Sequence, residues 1–267
     1  SYRFNHGHPK HPGSFFHTQV EEAMKLVPSP VHQLKPWKDF GGLSYKDWAA
    51  LSPAEQNNKT TQYKNLQANE WEEGHAFGNW QAQHPPLYYA LVGNLLKLFP
   101  SNSLGVLFDL SRVISVLVFS SFFFLLTYFI CIRWHYDSKI IWWAVFLPMP
   151  YVLGARITND ALAIPCFSAS LLLIFDLLRK DRKFWKFSDT ILISLALILT
   201  LGSKSYVLSL GPVLFVMCLV LLYLDRDLSF FERFKRPVIL GLPLLVMLLV
   251  WSPWLYGNWQ RTGSITG

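Results

Sequence analysis

Charged side chains are scarce in this sequence. Only 15% of its 267 residues are charged, whereas 52% are hydrophobic and 16% are aromatic. Because water-soluble domains carry about 25% charged residues, this composition argues against an ordinary soluble enzyme. Cysteine is also scarce, and Cys131, Cys166 and Cys218 all lie inside apolar runs. This placement argues against a structural disulfide framework and favours packing roles.

The start of the chain lacks both an initiator methionine and the apolar region of a signal peptide. Ser1 instead opens a polar stretch. We therefore expect the chain to be a fragment or a processed product.

The long apolar runs are concentrated after residue 108. Residues 1–108 hold nine basic and eight acidic residues, and residues 109–267 hold fifteen basic and nine acidic residues within long apolar runs. Since about 20 consecutive apolar residues cross a bilayer as a helix, the sequence predicts an all-α membrane protein, a polytopic helical bundle with six transmembrane helices in residues 109–255. These spans are expected at 109–132, 140–154, 159–178, 188–202, 205–224 and 237–255.

Basic residues fall on alternate connections between the predicted spans. Segments 133–139, 179–187 and 225–236 hold eleven of the fifteen Lys and Arg residues after residue 108, and such loops are typically cytoplasmic. This pattern predicts a multi-pass protein of a bacterial or archaeal cell membrane or of the endoplasmic reticulum, with residues 1–108 on the non-cytoplasmic side. Residues 256–267 would start a further extracytoplasmic segment. Topology accounts for most of the net charge of +7, so no nucleic-acid partner is expected.

Residues 1–108 are predicted to form a large extracytoplasmic loop region. Several prolines, Pro53 among them, break it up, and short helices are expected near 16–26 and 45–51. The apolar segment 87–99 would be about 20 Å long as a helix, which is too short to span a bilayer. It is therefore interpreted as an interfacial amphipathic helix on the outer face.

Three ionisable residues lie at the outer ends of predicted spans, namely Arg156, Asp160 and Lys204. Ionisable groups at membrane depth are costly and mark candidate functional sites. A structural alternative is a local ion pair between Arg156 and Asp160 at a helix start, with Asn159 as the helix N-cap and Lys204 reaching the interface independently.

Five strings, in chain order, resemble those of the GT-C glycosyltransferase superfamily, which uses polyprenyl-phosphate sugars and includes protein O-mannosyltransferases and aminoarabinose transferases. They are Gln81-Ala82-Gln83-His84-Pro85-Pro86-Leu87-Tyr88-Tyr89, Asp109-Leu110-Ser111-Arg112, Thr158-Asn159-Asp160-Ala161-Leu162, Gly202-Ser203-Lys204-Ser205 and Trp259-Gln260-Arg261-Thr262-Gly263. The resemblance covers about residues 80–267 and implies transfer of a sugar on the non-cytoplasmic face.

The resemblance also implies roles for individual residues. Lys204, His84 and Arg156 would contact the donor phosphate. Asp160 with Asn159 would orient the sugar or the acceptor or help to position a metal, and Asp160 is the candidate catalytic residue. Gln83 and Tyr88 would complete the substrate site. The implied partners are a polyprenyl-phosphate sugar donor, a lipid, glycan or protein acceptor, and membrane lipids. The cofactor is left open, and no metal site is expected.

The sequence departs from the superfamily where the principal catalytic carboxylate is expected, just after a first span. Gly13 and Ser14 stand where that pattern has acidic residues. Either the base precedes Ser1 or the chain is a catalytically inactive scaffold. A transporter or channel subunit is a further alternative, although it would be expected to place polar groups near mid-membrane in repeated halves.

Overall fold

The computed structural model describes residues 15–28, 42–67, 73–78, 85–99, 101, 103–137, 139, 156–180, 185–262 and 265. Its helices are α1 (Thr18–Leu26), α2 (Tyr45–Ala50), α3 (Pro53–Asn65), α4 (Leu87–Leu96), α5 (Leu104–Thr127), α6 (Asp160–Arg179), α7 (Phe187–Ser203), α8 (Leu210–Leu224) and α9 (Phe230–Thr262). A π-helical turn, Tyr128–Arg133, extends α5, and a 3₁₀ turn, Ser205–Ser209, precedes α8.

Four helices are long and apolar enough to cross a membrane, judged by length and composition. They are Leu104–Arg133, Asp160–Arg179, Ser205–Leu224 and Phe230–Gln260, and they coincide with four of the predicted spans. The predicted span at 188–202 is helix α7, whose 17 residues make it shorter than those four. The predicted span at 140–154 lies outside the described residues. The prediction of an all-α membrane protein is confirmed, whereas its sidedness and the interfacial placement of α4 stay predictions.

The chain divides into two compact units, the first made of Ser1–Gln83 and Val92–Arg112. In it, β1 (Phe15–His17) pairs antiparallel with β2 (Glu73–Gly78), a short sheet that the sequence did not predict. Pro53 was expected to break the chain but instead begins α3, since proline fits the first helical position. Ser52, which precedes the helix, and Glu55 in its first turn form a reciprocal capping box that provides hydrogen-bond partners for backbone N–H groups at this helix start.

The second unit is made of His84–Leu91 and Val113–Gly267. Helix α7 packs against both α6 and α9, and α8 packs against α9. Fully buried leucines and a methionine fill the space between these helices: Leu197, Leu201, Leu214, Leu240 and Met247. Phe215 and Val216 on α8 are exposed, as expected of side chains that face lipid. The predicted domain boundary after residue 108, between the extracytoplasmic loop region and the transmembrane helices, stays a prediction.

Helix α9 begins before and ends after its predicted span 237–255, and it continues through Pro237, Pro243 and Pro253. A proline removes the backbone donor to the carbonyl four residues earlier. Thr190 Oγ1 donates to Ile239 O at 3.2 Å, four residues before Pro243, and Ser252 Oγ donates to Leu249 O at 2.8 Å, four residues before Pro253. Hydroxyl groups thus replace the missing amide donors, as membrane helices permit. Residues 256–262, expected to start a further extracytoplasmic segment, continue this helix, and their side of the membrane stays a prediction.

Candidate functional site

An ion pair joins the start of α6 to the end of α7. Lys204 Nζ lies 2.5 Å from Asp160 Oδ1, and the two side chains are 29% and 23% exposed. Asp160 is the first residue of α6, where the helix dipole favours an anion, and Lys204 directly follows α7, where it favours a cation. The structure thus unites two residues that the sequence separates by 44 positions. The pair is accessible enough to meet a ligand.

Asn159 fixes the same junction through its side-chain amide. Its Nδ2 donates to Ser203 O at 3.0 Å, and the residue is 3% exposed. The predicted N-cap position of Asn159 is confirmed, although its side chain makes no cap hydrogen bond. The amide instead bridges to the C-terminus of α7, because that carbonyl has no partner within its own helix. Asn159 therefore positions the ion pair, and its contact with substrate stays a prediction.

Arg156 is exposed just before α6. Among the described residues Asp160 pairs with Lys204 and not with Arg156, so the local ion pair considered as an alternative is not formed. Arg156 therefore stays a candidate for contact with an external anion.

The Tyr206 ring borders the ion pair and the Phe167 ring packs against Tyr206, an arrangement not anticipated from the sequence. Lys204 Nζ lies 5.9 Å from the ring centroid of Tyr206, a distance at which the ring face attracts a cation. Phe167 meets the Tyr206 ring edge-on at a centroid distance of 5.3 Å. The only hint in the sequence is that Tyr206 lies two residues after Lys204. Together the rings form an apolar wall beside the charged pair.

The start of α4 packs against the same junction. A Cβ atom added to Gly202 would lie 3.1 Å from Leu87 Cδ2 and 2.3 Å from Trp251 Cζ2, so only glycine fits this position. The Pro-Pro-Leu string and the Gly-Ser-Lys string are therefore adjacent in the folded chain. The Tyr88 ring is fully buried, and its hydroxyl lies 2.5 Å from Ser115 Oγ. Tyr88 thus anchors α4, and its contact with substrate stays a prediction.

The remaining predicted site residues, Gln83 and His84, lie outside the described residues. Within the described part of the chain there is no group of three or more His, Cys, Asp or Glu side chains that could hold a metal ion. The site that can be built is a lysine and a carboxylate beside two aromatic rings.

A family model described as "Predicted membrane protein (DUF2142)" matches residues 42–263. This range includes every described helix from α2 to α9. No curated protein and no solved structure matches the chain.

Proposed function

The chain belongs to this family of predicted membrane proteins, DUF2142, and we propose that it is an integral-membrane glycosyltransferase of the GT-C type. It would transfer a sugar from a polyprenyl-phosphate donor to an acceptor on the non-cytoplasmic face. The observation that carries the proposal is the accessible Asp160–Lys204 ion pair at the ends of two apolar helices.

The position of the pair supports a lipid-linked donor. A charged pair at the end of membrane helices lies at the depth where a lipid phosphate meets water. Leu87 at the start of α4 packs beside Gly202, two residues before Lys204. Three of the strings that resemble the superfamily therefore converge on one place, which is more specific than their order in the sequence.

The residue types also suit the reaction. The acceptor oxygen would form a bond to the anomeric carbon while the bond from that carbon to the phosphate oxygen breaks, and the phosphate leaves with the electron pair. Lys204, with Arg156 four residues before Asp160 in the sequence, would stabilise that negative charge. A phosphate oxygen that takes over the ammonium of Lys204 would release Asp160 to accept the acceptor's proton. The pair thus holds both required groups at one point.

The proposal is tested with the full-length protein in nanodiscs and a radiolabelled polyprenyl-phosphate sugar. Lys204→Met should weaken donor binding and slow release of polyprenyl phosphate by about 100-fold to 1,000-fold, the usual loss when one charge-stabilising group is removed. Asp160→Asn should retain donor binding but slow release by about 100-fold or more. The control is Asp227→Asn, because that carboxylate is 90% exposed and lies in the turn after α8.

Each variant must keep the elution profile and thermal transition of the parent protein. Release rates in Lys204→Met and Asp160→Asn equal to that of Asp227→Asn would refute the site. Binding of the donor without any turnover by the parent protein would contradict the enzymatic proposal and favour a scaffold.

A further inference from the structure

A second polar site lies at the opposite end of α6 from Asp160. It is a cavity of about 360 Å³, here called the Asp176 cavity, lined by side chains from the last turn of α5 and its π-helical extension, from α6 and from the start of α7. Its charged lining consists of Arg133, Asp176, Lys180 and Asp189. Sixteen residues of α6 separate Asp160 from Asp176, roughly 24 Å along the helix axis at 1.5 Å per residue. The cavity is therefore distinct from the site proposed above.

Asp176 is saturated by its neighbours. Arg133 donates from Nε and Nη2 to its two oxygens at 3.2 and 3.4 Å, and Trp134 Nε1 donates at 3.3 Å. Lys180 Nζ lies 3.5 Å from Oδ2. These four contacts use the acceptor capacity of a carboxylate, so Asp176 organises the two cations of the cavity and is not left for a ligand.

Asp189 and Arg133 keep capacity for a ligand. Asp189 accepts from Lys180 Nζ at 2.9 Å and from the backbone N–H of Lys186 at 2.9 Å, which leaves further lone pairs on its oxygens. Arg133 uses Nε and Nη2 toward the described residues, and its side chain is 47% exposed. Its Nη1 can therefore donate to an external oxygen. The cavity thus offers an acceptor and a donor at separate points.

The backbone beside the cavity is unusual. Residues Tyr128–Arg133 form a π-helical turn, and Tyr128, Phe129 and Arg133 of this turn all line the cavity. π-Helical turns are rare and are frequently found at functional sites. This turn widens the end of the α5 extension and presents one cation and two rings to the same space.

The charges of the lining sum to zero, two basic and two acidic, which is a poor match for a simple anion. A zwitterion with a phosphate and a primary ammonium would satisfy both free groups. Apolar residues including Leu125, Leu173 and Leu192 line the rest of the cavity, next to helices that are apolar enough to lie in lipid. The lining therefore matches a lipid whose headgroup carries both charges.

We propose that the Asp176 cavity binds the headgroup of a phosphatidylethanolamine molecule. The phosphate contacts Arg133, the ammonium donates to Asp189, and the acyl chains continue along the apolar lining. The basic residues of segments 133–139 and 179–187 predict that this end is cytoplasmic, so the lipid belongs to the inner leaflet.

The test is native mass spectrometry of the full chain with equal amounts of phosphatidylethanolamine, phosphatidylcholine and phosphatidylglycerol of matched acyl chains. Wild type should retain phosphatidylethanolamine about tenfold more tightly than phosphatidylcholine, whose trimethylammonium group has no N–H to donate to Asp189. Asp189→Asn should abolish this preference and favour phosphatidylglycerol, because the lining becomes net positive. Arg133→Gln should weaken all three lipids, since each carries the phosphate.

The asparagine of Asp189→Asn can still accept the Lys186 N–H, so the start of α7 is retained. The control Asp227→Asn makes the same charge change on an exposed carboxylate and should leave the lipid preference of wild type. Equal retention of the three lipids by wild type, or the same preference in Asp189→Asn and Asp227→Asn, would overturn the proposal. Free phosphoethanolamine that displaces the lipid at similar concentration would also overturn it, because the occupant would then be a soluble zwitterion.

Discussion

The buried ion pair between Asp225 and Arg236 gives the sharpest stability prediction. Asp225 is fully buried in the turn between α8 and α9, and Arg236 Nη1 donates to its two oxygens at 3.2 and 3.3 Å. The Arg236 side chain is 14% exposed, and its Cζ lies 4.6 Å from the ring centroid of Trp185. We predict that Asp225→Ala destabilises the protein strongly, because the guanidinium then stays enclosed without its counter-charge.

The magnitude follows from which partner remains. Removing one member of a buried ion pair costs about 3–5 kcal/mol, whereas replacing both members with apolar groups is often neutral or stabilising. Asp225→Ala should therefore fall in that range. The double variant Asp225→Ala/Arg236→Met should be less destabilised than Asp225→Ala alone, because it removes the isolated charge and keeps an unbranched chain beside Trp185.

The measurement is the free energy of unfolding in mixed micelles, from a titration with sodium dodecyl sulfate followed by tryptophan fluorescence. The control is Asp227→Ala, two residues away, whose side chain is 90% exposed and lies 3.9 Å from Arg226 Nε. An exposed pair of this kind contributes about 0–1 kcal/mol. The reasoning is refuted if Asp225→Ala costs no more than Asp227→Ala, or if the double variant is less stable than Asp225→Ala.

Two further substitutions test the packing around the candidate site. Gly202→Ala should cost about 1–3 kcal/mol by overpacking, because the new Cβ would lie 2.3 Å from Trp251 Cζ2 and would displace the indole that donates to Ile198 O at 2.9 Å. A free energy of unfolding equal to that of wild type in the same titration would contradict this. Tyr88→Phe should cost about 1 kcal/mol by removing one buried hydrogen bond to Ser115, and the double variant Tyr88→Phe/Ser115→Ala should cost less than the sum of the single variants. Strict additivity would show that the two hydroxyls are not coupled.

The membrane helices were predictable because their signals are local. Length and hydropathy within one segment locate α5, α6, α8 and α9 without knowledge of their partners. Helix α3 was missed even though Ser52-Pro53-Ala54-Glu55 carries both a capping box and a proline at the first helical position. In a loop-rich region a proline such as Pro53 suggests an interruption of secondary structure, although proline is also favoured at the first position of a helix. The extension of α9 was missed because residues 230–236 and 256–262 include charged and polar side chains, so hydropathy gives no signal for a longer helix there.

The candidate site was predictable in its members but not in its pairings. Asp160 and Lys204 are conspicuous because ionisable groups are rare at the ends of apolar helices. Their contact depends on how α6 and α7 pack, and no local pattern encodes that register. Spacing along one helix instead suggested a pair between Arg156 and Asp160. Tyr206 carries no charge and resembles any aromatic residue at the start of a membrane helix, so only the fold shows that its ring lies beside Lys204.

The register of α6 and α7 is fixed by an ion pair at each end. Asp160 at the start of α6 pairs with Lys204 after α7, and Asp189 in the first turn of α7 pairs with Lys180 after α6. Both helices have an aspartate in the first turn and a lysine directly after the last residue. These charges complement the positive N-terminal end and the negative C-terminal end of each helix dipole. A slide of one turn, about 5.4 Å, would separate both pairs at once. Lys204 is thus held beside Asp160 before any ligand arrives, and in the proposed reaction the ammonium would already lie at the place where the donor phosphate binds.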